Sequence, residues 1–242
     1  HREQAILMMQ NGKHVLVEKP LAMNPAEVDE MIAVSRSTGK FLMEAMWMRF
    51  NPLHVELKRR IDAGEFGEVR SIDSDFSFAA ERSPTHRLFD PAKGGGAVLD
   101  VGIYPITLAW WFLGEPTTWS ATGEIGPTGV DERATIDMSW SDGRSAHLTC
   151  GSTYEGSTAS TIECESATIV IPTRSHASNV AEIRTSSGTE HLTCDEPGLH
   201  HQVREVHRCI ASGAIESPRM SHHDSRAISV YMDSVLDVLH RR

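Results

Sequence analysis

The sequence predicts an α/β chain in two parts. The first is the remnant of a parallel, doubly wound sheet; the second is a C-terminal α+β domain with a large, mainly antiparallel open-faced sheet and helices on one side. Three observations carry this. Residues 1–50 alternate short apolar runs with helical patterns, as strands and crossover helices do. From residue 69 to residue 194, apolar and polar residues alternate with period two, and turn signals break the runs. The remainder returns to helical spacing.

In chain order, Ala5, Ile6, Met8 and Met9 stand at helical spacing, and Asn11-Gly12 supplies a stop. His14 to Val17 reads as a short buried strand that Glu18-Lys19-Pro20 closes. The proline holds Lys19 in extended geometry at the strand's C-terminal end, where ligands bind in open parallel sheets. Asn24-Pro25 starts a helix that runs to Gly39, and Lys40 to Trp47 is again strand-like. Two strands do not make a stable sheet alone, and His1 leads straight into a helical pattern. The expectation is therefore that the N-terminal part of this layer lies upstream, with 1–48 as its C-terminal half and 49–242 as a separate domain.

Asn51-Pro52 opens another helix to Gly64. The period-two runs then follow at 69–78, 118–123, 134–140, 145–150, 159–163, 167–171, 180–185 and 190–194, with Ser141-Asp142-Gly143 and Ser187-Gly188 as hairpin turns. Helical spacing resumes at 201–212 and 225–239. Between the first two strand runs lies Gly94 to Trp111, three glycines followed by an apolar run long enough for a helix. It carries Asp100 and Tyr104, four residues apart and so on one face of an α-helix. Two readings stand: helix-capping polar groups, or an acid/base pair.

The net charge of -10 has no basic block, which argues against nucleic acid. Four scattered cysteines without a C-x-x-C pair argue against a zinc site and a disulfide framework, and point to a reducing, cytoplasmic setting. No apolar run approaches the ~20 residues that span a bilayer, so no membrane partner is expected. His200, His201, His222 and His223 are numerous enough for a metal site, but neighbours on a helix point to different faces, and no metal is expected.

The string G-K-H-V-L-V-E-K-P-L-A, a strand ending M-E-A-M-W-M-R-F-N-P, and G-G-G-A-V-L-D-V-G-I-Y-P together resemble the glucose-fructose oxidoreductase and inositol dehydrogenase (GFO/IDH/MocA) family. The tyrosine ending the last motif makes the chain most similar to the dimeric dihydrodiol dehydrogenase branch; the inositol dehydrogenase branch usually has histidine there. The resemblance covers nearly the whole chain. It implies an NAD- or NADP-dependent oxidoreductase with a Rossmann domain followed by a domain that shapes a sugar, polyol or diol pocket and forms a homodimer or higher oligomer through its sheet.

By the same resemblance, Lys19, Asp100 and Tyr104 are the catalytic candidates, with Tyr104 as acid/base and the Lys19 ammonium favouring its ionised form. Glu18, Lys19, Trp47 and Arg49 are candidates for cofactor contact. For Trp47 and Arg49 the alternatives are a core indole and a salt bridge. His86, Arg87 and Asp100 are candidates for substrate binding, with a solvated loop as the alternative for the first two. The chain has no G-x-G-x-x-G, and Gly94 to Gly96 does not replace it. Weak cofactor binding by these residues alone, or none, is expected. A second class stays open: a truncated, non-catalytic carbohydrate-binding or dimerisation module.

Overall fold

A computed structural model describes residues 1–83 and 85–241. In chain order the elements are α1 (Arg2–Gln10), β1 (Val15–Val17), α2 (Pro25–Thr38), β2 (Leu42–Glu44), α3 (Pro52–Asp62), β3 (Val69–Ser77), α4 (Ile103–Leu113), β4 (Thr118–Ile125), β5 (Asp131–Ser139), β6 (Ser145–Gly151), β7 (Ser160–Cys164), β8 (Ala167–Ile171), β9 (Val180–Thr185), β10 (Gly188–Thr193), α5 (His200–Ala211) and α6 (His222–His240). They fall into two compact units.

The first unit comprises His1–Asn51 and Gly198–Asp233. The Asn24 side chain accepts the Glu27 N–H at 3.0 Å at the start of α2, and Gly39 ends that helix in the left-handed region. β1 and β2 pair in parallel, with Val17 opposite Glu44. Met9, Val28, Met31 and Leu42 form a dry core between the two helices and the strands. Periodicity located α5 and α6 but carries no information on which unit a helix joins; here α5 and the first half of α6 join the first unit. The His222 ring bonds the Leu42 carbonyl at 3.0 Å, and Leu42 N–H donates to Ile215 at 2.9 Å. The strand expected over 40–47 is shorter, because the chain turns into a 3-10 helix at Trp47–Phe50 that buries Met48 and Phe50.

The second unit runs from Pro52 to Pro197 and takes in the end of α6. Its eight strands are ordered β10-β9-β8-β7-β3-β6-β5-β4, and every pair is antiparallel except β3 with β6. The alternation expected from sequence is present. Ile72, Ile136, Met138, Ala146 and Leu148 are buried, while Asp73, Asp137, Ser139, Ser145 and His147 are exposed. α4 packs on β3 and β6.

One sequence expectation needs correction: the helical stretch Pro91–Leu113 is 23 residues long and apolar enough to cross a membrane. Its most apolar window is 78% buried within the protein, because it supplies one side of the core. Hydropathy does not distinguish a core helix from a spanning one.

Candidate active site

The stretch from Gly94 to Trp111 is held by its surroundings more than by its own propensity. A side chain at Gly96 would place Cβ 2.1 Å from Asp131 Oδ1, and the residue has a φ of +118°. Asp131, 1% exposed on β5, accepts the Val98 N–H at 2.7 Å and so caps the helical run from a distant strand. Burial pushes this carboxyl up to about 7, against the backbone N–H groups that favour its charged form.

The run begins as a π-helical turn over Val98–Gly102 and becomes α-helical only at Ile103. Pro105 has no N–H to give one turn back, and its ring crowds the carbonyl there, so an unbroken α-helix through this point is disfavoured. Such turns often occur at functional sites. The spacing of Asp100 and Tyr104 crosses this widened turn, so the one-face rule for an α-helix does not by itself fix their relation. Gly102 permits the close approach to β6, since a Cβ would lie 2.9 Å from Cys150 Sγ.

Tyr104 is 7% exposed, and its ring sits among aromatic neighbours. Phe76 of β3 lies 5.3 Å away and His176 5.0 Å, centroid to centroid; Phe76 and His176 stack at 4.1 Å. A chain of hydroxyls places His176: Ser74 Oγ meets Ser160 Oγ at 2.7 Å, which donates to Ser175 Oγ at 2.9 Å. His54 of α3 is fully buried, and neither ring nitrogen has a hydrogen-bond partner among the described residues. Burial, with a smaller contribution from nearby His176, pushes it down to about 3, so it is neutral.

Asp100 accepts from Arg87 Nη1 at 2.9 Å, which joins two substrate candidates in one ion pair. His86 is exposed and its Nδ1 accepts the Leu88 N–H at 3.3 Å, capping the 3-10 turn Arg87–Phe89. Phe76, His176, His54 and Asp131 escaped the sequence reading. A phenylalanine in the alternating strand β3, a histidine in α3 or one in the short turn Ser175–Ala177 carries no mark of a distant helix, and the buried Asp131 opens a strand where a polar residue is ordinary.

In the first unit, Lys19 is half-buried just beyond β1, and Glu18 is exposed. Ala45 N–H donates to Val17 at 2.7 Å, so the C-terminal ends of β1 and β2 lie side by side. Glu44, the last residue of β2, is 2% exposed and takes the Leu21 N–H at 2.9 Å. Trp47 is half-buried. Arg49 is 5% exposed and pairs with Asp224 at 3.4 Å; burial lowers its pKa and Asp224 opposes that. The described residues contain no group of three His, Cys, Asp or Glu side chains that could hold a metal.

The C-terminal ends of β1 and β2, with Lys19 just beyond, form the kind of edge that opens toward ligands in parallel sheets. The glycine-rich turn that would cradle a pyrophosphate is not among these residues.

Comparison with known proteins gives the same outline. Residues 1–46 match the model of the oxidoreductase family with an NAD-binding Rossmann fold, and residues 54–170 match that of the GFO/IDH/MocA C-terminal domain. The chain is 36% identical over 243 residues to the trans-1,2-dihydrobenzene-1,2-diol dehydrogenase of Danio rerio, covering 96% of this chain and 72% of the relative. It is 32% identical to an NADP-dependent scyllo-inositol 2-dehydrogenase of Bacillus subtilis, covering 96% and 73%. Among solved structures, a 3-ketoreductase from Actinomadura kijaniata in complex with NADP and TDP-benzene superposes with a TM-score of 0.87 at 25% identity, covering 99% of this chain and 75% of that one.

Proposed function

Because this chain belongs to the GFO/IDH/MocA oxidoreductase family, we propose that it transfers a hydride between NAD(P) and a CH–OH group of a sugar, polyol or dihydrodiol, with Tyr104 as acid/base assisted by Lys19. The observation that carries the proposal is the setting of Tyr104. A phenol nearly excluded from water sits against Phe76 and His176, on a helix pinned by Asp131, with the Arg87–Asp100 pair one turn earlier. Aromatic walls suit the C–H faces of a sugar or a diol ring.

Bound NAD(P) supplies the hydride acceptor, or the donor in reverse. As the hydride leaves the carbinol carbon, the hydroxyl proton passes to the Tyr104 phenolate, and in reduction the resulting phenol returns it. The Lys19 ammonium steadies the negative charge that develops on oxygen. Asp100, oriented by Arg87, accepts a hydrogen bond from a substrate hydroxyl; His86 lies on the same loop. Glu18 and Trp47, at the strand ends, face the cofactor side, and Arg49 supports them from its pair with Asp224. The second unit also serves as the surface for self-association, through the sheet face opposite α4.

In the full-length protein, Tyr104→Phe should lower kcat by two orders of magnitude or more, on the order expected for loss of a positioned acid/base, while the Kd for NADPH stays unchanged. Turnover equal to wild type would remove Tyr104 from this role.

A further inference from the structure

Glu44 is a buried carboxyl that the chemistry above leaves without a task. It ends β2, opposite Val17 in the parallel register and two residues from Lys19 along the partner strand. It is 2% exposed. Oε1 accepts the Leu21 N–H at 2.9 Å, so the carboxyl grips the backbone of the Lys19 loop just past Pro20. The Ser225 hydroxyl of α6 lies against it and favours the charged form, and Lys19 and Arg49 are the cations whose fields reach it. Oε2 has no hydrogen-bond partner among the described residues.

A hydrophobic residue at this place would cost less than a half-satisfied carboxyl, so stability does not explain it. Nor does cofactor recognition, since the group is closed off from solvent. What remains is its reach: one oxygen fixes the loop that presents Lys19, and the charge faces the Lys19 ammonium.

We infer that Glu44 is the positioning residue of the Lys19 loop, holding the Leu21 backbone with one oxygen and the Lys19 ammonium in place with its negative charge. The inference rests on the role of Lys19 proposed above. Burial pushes the carboxyl up to about 7, with Ser225, the Leu21 N–H, Lys19 and Arg49 opposing the shift in that order. The charge is therefore lost as the pH falls through neutrality. Arg49 is engaged first by Asp224, with Glu44 a smaller influence on it.

The test uses the full-length protein. In the wild type, the Leu21 amide resonance should titrate with a midpoint near pH 7, because its acceptor changes charge. Ser225→Ala should move that midpoint upward. Glu44→Gln keeps an acceptor for Leu21 and should abolish the titration, lower kcat about tenfold with KM within about twofold, and erase the acidic limb of the kcat profile. A flat Leu21 titration in the wild type overturns the inference without any variant. So does a Glu44→Gln enzyme with wild-type kcat and pH profile. Lys19→Ala, measured in parallel, separates the two ideas: wild-type turnover there removes the role of Lys19, whereas a large loss there beside an unaltered Glu44→Gln leaves that role standing and removes Glu44.

Discussion

Asp131 and His54 show how single buried groups tie the stability of the second unit to pH, with opposite signs. Asp131 is raised to about 7 in the folded state against about 4 in an unfolded chain. Between those values the native state holds more protons than the unfolded one, so the contribution of Asp131 to stability is present below about pH 4 and is lost as the pH rises through about 7. His54 is lowered to about 3 against about 6.5 unfolded, so its contribution is present above about 6.5 and lost as the pH falls toward 3. Asp131→Asn keeps an acceptor for the Val98 N–H and removes the titration. The melting temperature of the wild type should therefore fall more steeply than that of Asp131→Asn between about pH 5 and about pH 8. Parallel curves for the two proteins would show that Asp131 does not titrate in this range. Neither group was legible in the sequence, because burial is what gives each its meaning, and an aspartate beside a turn or a histidine after Asn-Pro is usually solvated.

Among the elements, the π turn and α4 show both what sequence reveals and where it stops. The three glycines announced close approaches, and one of those is now specific, Gly96 against Asp131; Gly102, beyond the run, lies likewise against Cys150. The partners lie on β5 and β6, far along the chain, so the glycines were readable and their reasons were not. The widened turn itself had only Pro105 as a sign. Gly96→Ala combines a strained φ with a Cβ inside the contact distance of a buried carboxylate oxygen. It should cost roughly 2–4 kcal/mol in urea unfolding, the sum of a backbone penalty and overpacking. A loss under about 0.5 kcal/mol would mean that the helix start is free to move away from β5. The strands and helices were legible because their periods are local properties. The end of β2 misled because Met46, Met48 and Phe50 suit an extended strand and a tight turn equally.

At the scale of the whole molecule, the eight-stranded sheet has one face committed to α4 and one that is not. The free face is low in relief over its middle strands: Ser71, Asp73, Asp137, Ser139, Ser145 and His147 line a shallow groove there, and Asp137 pairs with His147 across the strands at 2.7 Å. Short polar side chains on a broad sheet let a second sheet approach without burying long charged chains, which suits an isologous two-fold contact. The sequence disclosed this face through its period-two alternation, but not the strand order that brings β3, β5 and β6 together at its centre. Self-association through this face makes a definite prediction. The full-length protein should sediment as a dimer at micromolar concentration. Ser145→Arg, which places a long cation in the middle of the groove, should weaken that association at least tenfold while leaving the far-ultraviolet spectrum unchanged. Ser187→Arg, at the hairpin joining β9 and β10, serves as the control and should leave it intact. Equal weakening by both changes, or a monomeric wild type, would mean that this face has some other use. Dissociation confined to Ser145→Arg would tie the oligomer to the same strand, β6, whose other face supports the helix that carries Tyr104.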